Sequence, residues 1–258
     1  MKKIPIAVQL YSVRKECERD LPATLKAVAE MGYDGVEFAG YYDRSATELR
    51  SMLDELGLAV AGTHIGLPTL LGDQLAEAVA FNRTLGNRFL IVPGLAEEWR
   101  SSRQAWLKTA QVFNEIAEQL AGEGMVTGYH NHTVEFQPMD GEPPWDTFFG
   151  NTRQDVVMQM DLGNALCGGA DPVPFLQRYP GRAVTVHLKS YSTEAGKSDA
   201  RLGYRNLIGD DDIRWDEVFE ICETTGGTEW YIVEYESDAY PPLEAVAKFL
   251  ERLRSMGK

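Results

Sequence analysis

The chain carries four histidines, and three of them, His64, His130 and His187, close short apolar runs: VAGTH, VTGYH and VTVH. The fourth, His132, follows two residues after His130. Two carboxylates stand in equivalent places, Asp161 at the end of VVMQMD and Glu234 at the end of WYIVE. His130, Asp161, His187 and Glu234 therefore end four successive runs in the same register. A carboxylate at the end of a buried run is costly unless a cation compensates it, and a divalent ion compensates two at once. Two imidazoles with two carboxylates suit Mn²⁺, Zn²⁺, Co²⁺ or Fe²⁺ better than Ca²⁺. One divalent metal ion held by His130, Asp161, His187 and Glu234 is the expectation. Glu135, in HNHTVEF, is a rival for the first position, although strand register favours His130.

Such a cluster needs elements that bring distant strand ends together. One phrase recurs along the chain: a helical stretch, a glycine, then a short apolar run. It appears in AVAEMGYDGVEF, MLDELGLAVAGTH, FNRTLGNRFLIVPG, LAGEGMVTGYH and ICETTGGTEWYIVEYE. Glycine after a helix fits the left-handed position that ends it. A short run of branched apolar residues fits a strand covered on both faces. Repetition of this junction implies alternating strands and helices around a parallel sheet. Filling the gaps gives eight strands, roughly 5–10, 34–38, 59–64, 88–92, 125–130, 155–161, 183–188 and 230–234. Helix starts are marked by Asp20, by Ser45 with Glu48, by Ser101 with Gln104, and by Pro241 and Pro242. Long connections at 131–145 and 189–213 are expected to be functional.

Eight such units in 258 residues favour a single α/β domain over 1–258, a closed (β/α)₈ TIM barrel. Strand 1 is not followed by a GxGxxG turn, so a dinucleotide-binding sheet has no support. In a barrel the C-terminal strand ends share one face, which carries the chemistry. The formal net charge of −14 argues against a nucleic-acid partner and against an anionic membrane surface. Cys17, Cys167 and Cys222 share no short spacing and read as reduced thiols of a cytoplasmic protein. The opening run, MKKIPIAVQLYSVRKE, reads as a first strand rather than a signal peptide. A homo-oligomer is compatible with this fold.

The motifs GYDGVEF, AGTH, GYHNHTVEF, MDLGNA, VHLKSY, IGDDDIRWDEVFE and YIVEYE, in this order, resemble the xylose-isomerase-like barrels. That group includes sugar-phosphate isomerases and epimerases, inosose dehydratases, lyases of 3-keto-glycosides and endonuclease IV enzymes. The resemblance implies a metal held by Glu, Asp, His and Glu from strands 5 to 8. Asp161, His187 and Glu234 match the last three, while His130 stands where the first Glu is usual. Ser190 replaces the acid of the usual HLKD. The implied chemistry is proton movement beside a carbonyl, with the metal stabilising the oxyanion. Glu234 is then a ligand and base, His132 a second acid/base, and Lys189 a group that polarises the carbonyl or holds a substrate oxygen. Glu37 and His64 are expected to touch substrate hydroxyls, and Asn164 to bind substrate or orient Asp161. The activity implied is a metal-dependent isomerase or epimerase of a small-molecule sugar. The alternative is a lyase or dehydratase of a 3-keto-glycoside or inosose. No run of basic residues marks a phosphate site, which favours a non-phosphorylated substrate.

Overall fold

The computed structural model describes residues 3–258. Eight strands form a closed barrel in chain order: β1 (Ile6–Gln9), β2 (Gly35–Ala39), β3 (Ala59–His64), β4 (Phe89–Val92), β5 (Val126–His130), β6 (Val157–Asp161), β7 (Thr185–Leu188) and β8 (Trp230–Val233). Every neighbouring pair is parallel, and β1 closes the ring on β8. The barrel expected from the repeated junction is the fold observed. Helices follow the strands and cover the outside, so the strands are buried on both faces.

The helix-ending glycines do what the repeat implies. Gly32, Gly57 and Gly86 all adopt positive φ and end the helices Arg14–Met31, Ala46–Leu56 and Gln74–Leu85. Ser45 and Glu48 form a reciprocal cap on the second of these. Asp20 begins a helix as expected: Arg14–Met31 is two helices joined at a kink, where the Asp20 backbone is extended and its carboxylate caps the second helix by accepting from the Ala23 N–H at 3.0 Å. The helix Arg103–Ala121 is capped by Ser102, not Ser101, because the Ser102 hydroxyl is the one that accepts from Ala105 N–H, at 3.1 Å. Both long connections carry short helical turns, Val134–Phe136 in one and Thr193–Gly196 and Ala200–Gly203 in the other.

Alternation along each strand sorts side chains between two environments. Val8, Val36, Leu90, Met158, Val186 and Val233 face the helices and join the large outer core. Ala7, Ala61 and Ile232 make one small cluster inside the ring, and Phe89, Ile91 and Val157 make another. Closer to the C-terminal strand ends the lumen turns polar, with Gln9, Glu37, Gln159 and Thr185 completely buried. Strand β3 breaks the alternation. Its register against β2 shifts between Val36 and Glu37, so that Val36 pairs with Val60 but Glu37 with Gly62. This bulge lets both Ala61 and His64 face inward. Gly62 is required there, since a Cβ would lie 2.8 Å from Glu37 Oε1. None of the described helices is long and apolar enough to cross a membrane.

Candidate metal centre and active site

His130, Asp161, His187 and Glu234 meet at the mouth of the barrel, each offering one ligand atom, all within 4.8 Å of one another. His130 and Asp161 end β5 and β6, His187 is the last residue but one of β7, Glu234 directly follows β8, and each is buried. His187 is held between two carboxylates, with Nε2 2.7 Å from Glu37 Oε2 and Nδ1 2.5 Å from Glu234 Oε2. Asp161 Oδ1 accepts from the Asn164 N–H at 2.7 Å, at the start of the helix Leu162–Cys167. Its other oxygen, Oδ2, is buried and has no hydrogen-bond partner among the described residues. Around that oxygen lie Lys189 Nζ at 3.8 Å, His130 Nε2 at 3.9 Å and His187 Nδ1 at 4.0 Å.

An orphaned buried carboxylate oxygen is expensive, and with the nitrogens of two imidazoles about 4 Å away it marks a place for a cation. Metal–ligand bonds of about 2.0–2.2 Å hold ligand atoms no more than about 4.4 Å apart, so the cluster is near the size needed. Charge points the same way. Glu37, Asp161, Glu234 and Glu236 face only Lys189 and the shared proton of His187 as close cations. The four residues fit a divalent ion.

The surroundings shift each ionisable group. Burial drives the Asp161 carboxyl up to about 7, with the Lys189 ammonium opposing. Glu234 is held well below the usual range: burial opposes ionisation, but Lys189 and His187 outweigh it. His187 is pushed up to about 10, because Glu37 and Glu234 overcome the cost of burying its charge. His130 is driven far below its ordinary value by burial and by the neighbouring His187 and His64. It is therefore a neutral imidazole with a lone pair to offer.

The other expected site residues fall in three places. His132 is exposed beside the cluster, its ring 5.3 Å from that of His130. It lines a cavity of about 470 Å³ together with Tyr11, His64, His130, Glu234 and Glu236. His64 reaches this cavity from the opposite wall while its Nε2 lies 2.7 Å from Gln159 Oε1. Lys189 is only 2 % exposed, and contacts Glu234 Oε1 at 3.3 Å and the Glu236 carboxylate. It is a buried counter-cation at the edge of the cluster.

Glu37 lies beneath the cluster rather than at the mouth. Its carboxylate accepts from Gln9 Nε2 at 2.6 Å and from Gln159 Nε2 at 2.8 Å, besides His187, and it is completely buried. Contact with a substrate hydroxyl, as expected from the sequence, is not what this position offers. Asn164 is likewise committed: its amide donates to Asn131 O at 3.1 Å and accepts from Tyr204 O–H at 2.9 Å. It orients Asp161 and does not face the cavity. Glu135 lies outside the cluster, accepting from Tyr129 O–H at 2.6 Å and from His132 N–H at 2.8 Å. Tyr129 points out of the lumen into the helix layer, which takes Glu135 with it.

Sequence reasoning missed Gln9, Gln159, Asn131, Tyr11 and Glu236. Gln159 had a signal: it precedes Asp161 by two residues on one strand, so both point into the lumen. Asn131, between two site histidines, clamps β5 to β6 by accepting from the Asp161 N–H at 2.8 Å and donating to Asp161 O at 3.0 Å. Tyr11 is 41 % exposed at the rim with the Arg14 guanidinium stacked 4.0 Å from its ring centre.

Known proteins extend this picture. Residues 25–256 match the family described as xylose isomerase-like TIM barrel. An inosose dehydratase of Erwinia tasmaniensis is 26% identical over 252 residues, covering 86% of this chain and 84% of the relative. A sugar phosphate isomerase/epimerase from Parabacteroides distasonis superposes with a TM-score of 0.82 at 24% identity, covering 99% of this chain and 95% of the other. An L-ribulose 3-epimerase superposes with a TM-score of 0.70 at 16% identity, covering 98% and 94%. With a closed eight-stranded parallel barrel, a buried His–Asp–His–Glu cluster at its C-terminal mouth and a family match over nearly its whole length, this chain belongs to the xylose isomerase-like TIM barrel family.

Proposed function

We propose that this chain is a divalent-metal-dependent enzyme that removes the proton beside the carbonyl of a keto-inositol or keto-sugar, and that the usual outcome is elimination. The observation that carries the reading is the orphaned Asp161 oxygen inside a buried His–Asp–His–Glu set, at the floor of a cavity lined by no lysine or arginine among the described residues. His130, Asp161, His187 and Glu234 hold the ion. When bound there, a divalent ion supplies positive charge beside the substrate's carbonyl oxygen, where negative charge develops.

The remaining work belongs to side chains. Glu234 is the base: Lys189 and His187 keep it ionised, and it reaches the cavity. Its carboxylate takes the proton from carbon, and the C–H electron pair moves toward the carbonyl. His132, at the exposed rim, delivers a proton to the leaving hydroxyl or alkoxide as the bond to the β-carbon breaks. Lys189, anchored by Glu236, keeps the Glu234 carboxylate aligned. A lining without cations suits an uncharged polyol.

Elimination takes precedence over the isomerase or epimerase expected first from the sequence, because the Erwinia relative, matched over most of its length, is named a dehydratase. Epimerisation is the second reading, favoured by the epimerase names of the two structural neighbours. In it, His132 returns a proton to carbon instead. Incubation with inososes, 3-keto-glycosides and ketoses in D₂O with Mn²⁺, followed by NMR, tests both. Loss of water or an alcohol supports elimination; deuterium at the α-carbon without loss supports epimerisation. Neither change with any of these compounds refutes the proposal.

A further inference from the structure

Beneath the cluster, one glutamine connects two of its histidines. Gln159 Oε1 lies 2.7 Å from His64 Nε2 and 3.0 Å from His130 Nδ1, and Gln159 Nε2 lies 2.8 Å from Glu37 Oε1 and 2.9 Å from Thr185 Oγ1. Gln159 and Glu37 are completely buried, on β6 and β2. An ionised carboxylate only accepts hydrogen bonds. Glu37 must therefore face the amide NH₂ of Gln159, which turns the amide oxygen toward the two imidazoles. That oxygen only accepts, so both rings must donate to it.

We propose that Gln159, oriented by Glu37, is the positioning residue that sets the tautomer of His130 and makes Nε2 its metal-binding atom. With the proton fixed on Nδ1, the free lone pair of His130 is on Nε2, the nitrogen 3.9 Å from Asp161 Oδ2. Glu37 orients His187 in the opposite sense. It takes the Nε2–H of His187, leaving Nδ1 on the side of Asp161 and Glu234. One buried amide–carboxylate pair thus presents two imidazoles to the same ion through different nitrogens. A ligand histidine commonly gives its second nitrogen to an orienting partner. Here that partner is shared: a single amide oxygen serves His130 and, across the lumen, His64. The proposal rests on the cluster being a metal centre; it requires nothing of the substrate.

The test uses the full chain labelled with ¹⁵N-histidine, prepared metal-free and then loaded with Zn²⁺. Two-bond ¹H–¹⁵N spectra of the metal-free protein are expected to show His130 neutral and protonated on Nδ1. With Zn²⁺, His130 is expected to bind through Nε2 and His187 through Nδ1. Gln159→Leu, with its fold checked by circular dichroism, is expected to lose Zn²⁺ affinity by about 10–100-fold. Gln159→Glu and Glu37→Gln, each of which leaves like groups facing, are expected to weaken binding too. The double variant restores one carboxylate facing one amide and is expected to recover affinity to within about tenfold of the parent. His130 protonated on Nε2 in the metal-free parent, or Zn²⁺ bound equally well by Gln159→Leu, overturns the proposal. Failure of the double variant to improve on the single ones does so as well. If Gln159→Leu does not fold, the parent spectra and the double variant still decide. Absence of turnover with every keto compound counts against the proposed function and leaves these readouts untouched.

Discussion

Replacing Asp161 by Asn is expected to stabilise the metal-free protein while abolishing its response to metal. The carboxyl is completely buried and pushed by burial to about 7, from an ordinary 3.8. An acid whose pKa rises on folding favours the folded state most at low pH. Its penalty grows as pH rises from about 4 and is complete above about 7. About three units correspond to roughly 4 kcal/mol at pH 8. Asn keeps the oxygen that accepts from Asn164 N–H at 2.7 Å and removes the charge from the orphaned side. Lys189 loses one neighbour at 3.8 Å but keeps Glu234 and Glu236, a loss that the net rise to about 7 already contains. For a chain of this size roughly 4 kcal/mol is about 8–16 °C in Tm. The parent, by contrast, gains stability with added ion as RT ln(1 + [L]/Kd), roughly 3 kcal/mol at a hundredfold excess over Kd. Thermal melts at pH 8, with chelator and with Mn²⁺, measure both effects. A metal-free Asp161→Asn protein that melts below the parent, or one that keeps the metal-induced shift, refutes the reasoning.

Other outcomes follow from the same geometry. Metal binding should weaken on acidification: His187, at about 10, gives up one proton to bind, and below about pH 7 Asp161 gives up a second. Calorimetry should therefore find Kd rising about tenfold per pH unit between 7 and 10 and more steeply below 7. Gly62→Ala should cost about 1–3 kcal/mol in denaturant unfolding and weaken metal binding, because the new Cβ would lie 2.8 Å from the Glu37 oxygen that anchors Gln159. His130→Ala should abolish stoichiometric metal by elemental analysis, whereas Glu135→Ala should retain it, since Glu135 bonds Tyr129 and the His132 backbone instead.

The barrel was legible because its signal is repeated. Each helix–glycine–strand junction is weak alone, but three of the glycines take up positive φ as the pattern implies, and the strands follow in order. The convergence of His130, Asp161, His187 and Glu234 was legible for a related reason: strand ends in one register share a face. Depth within the lumen was not legible. Glu37 lies on the inward face of β2, but nothing local says that it stops below the mouth, where Gln9, Gln159 and His187 use its carboxylate. His64 points inward only because of the β3 bulge, which arises from the pairing with β2 rather than from the run VAGTH itself. The burial of Lys189 was not legible either, because it depends on Glu236, which the fold sets beside it from the end of the neighbouring strand β8. Strand register favoured His130 over Glu135, but parity does not carry through the turn after β5, so spacing alone did not show where Glu135 points.

The account depends on a single cation seated among side chains from the last four strands. Anomalous diffraction at the manganese edge, from crystals grown with Mn²⁺, tests that directly. One strong peak touching His130, Asp161, His187 and Glu234 is the predicted result. A map with no peak there, or with manganese held by Glu135 or by other groups while Asp161 Oδ2 stays unpaired, contradicts it.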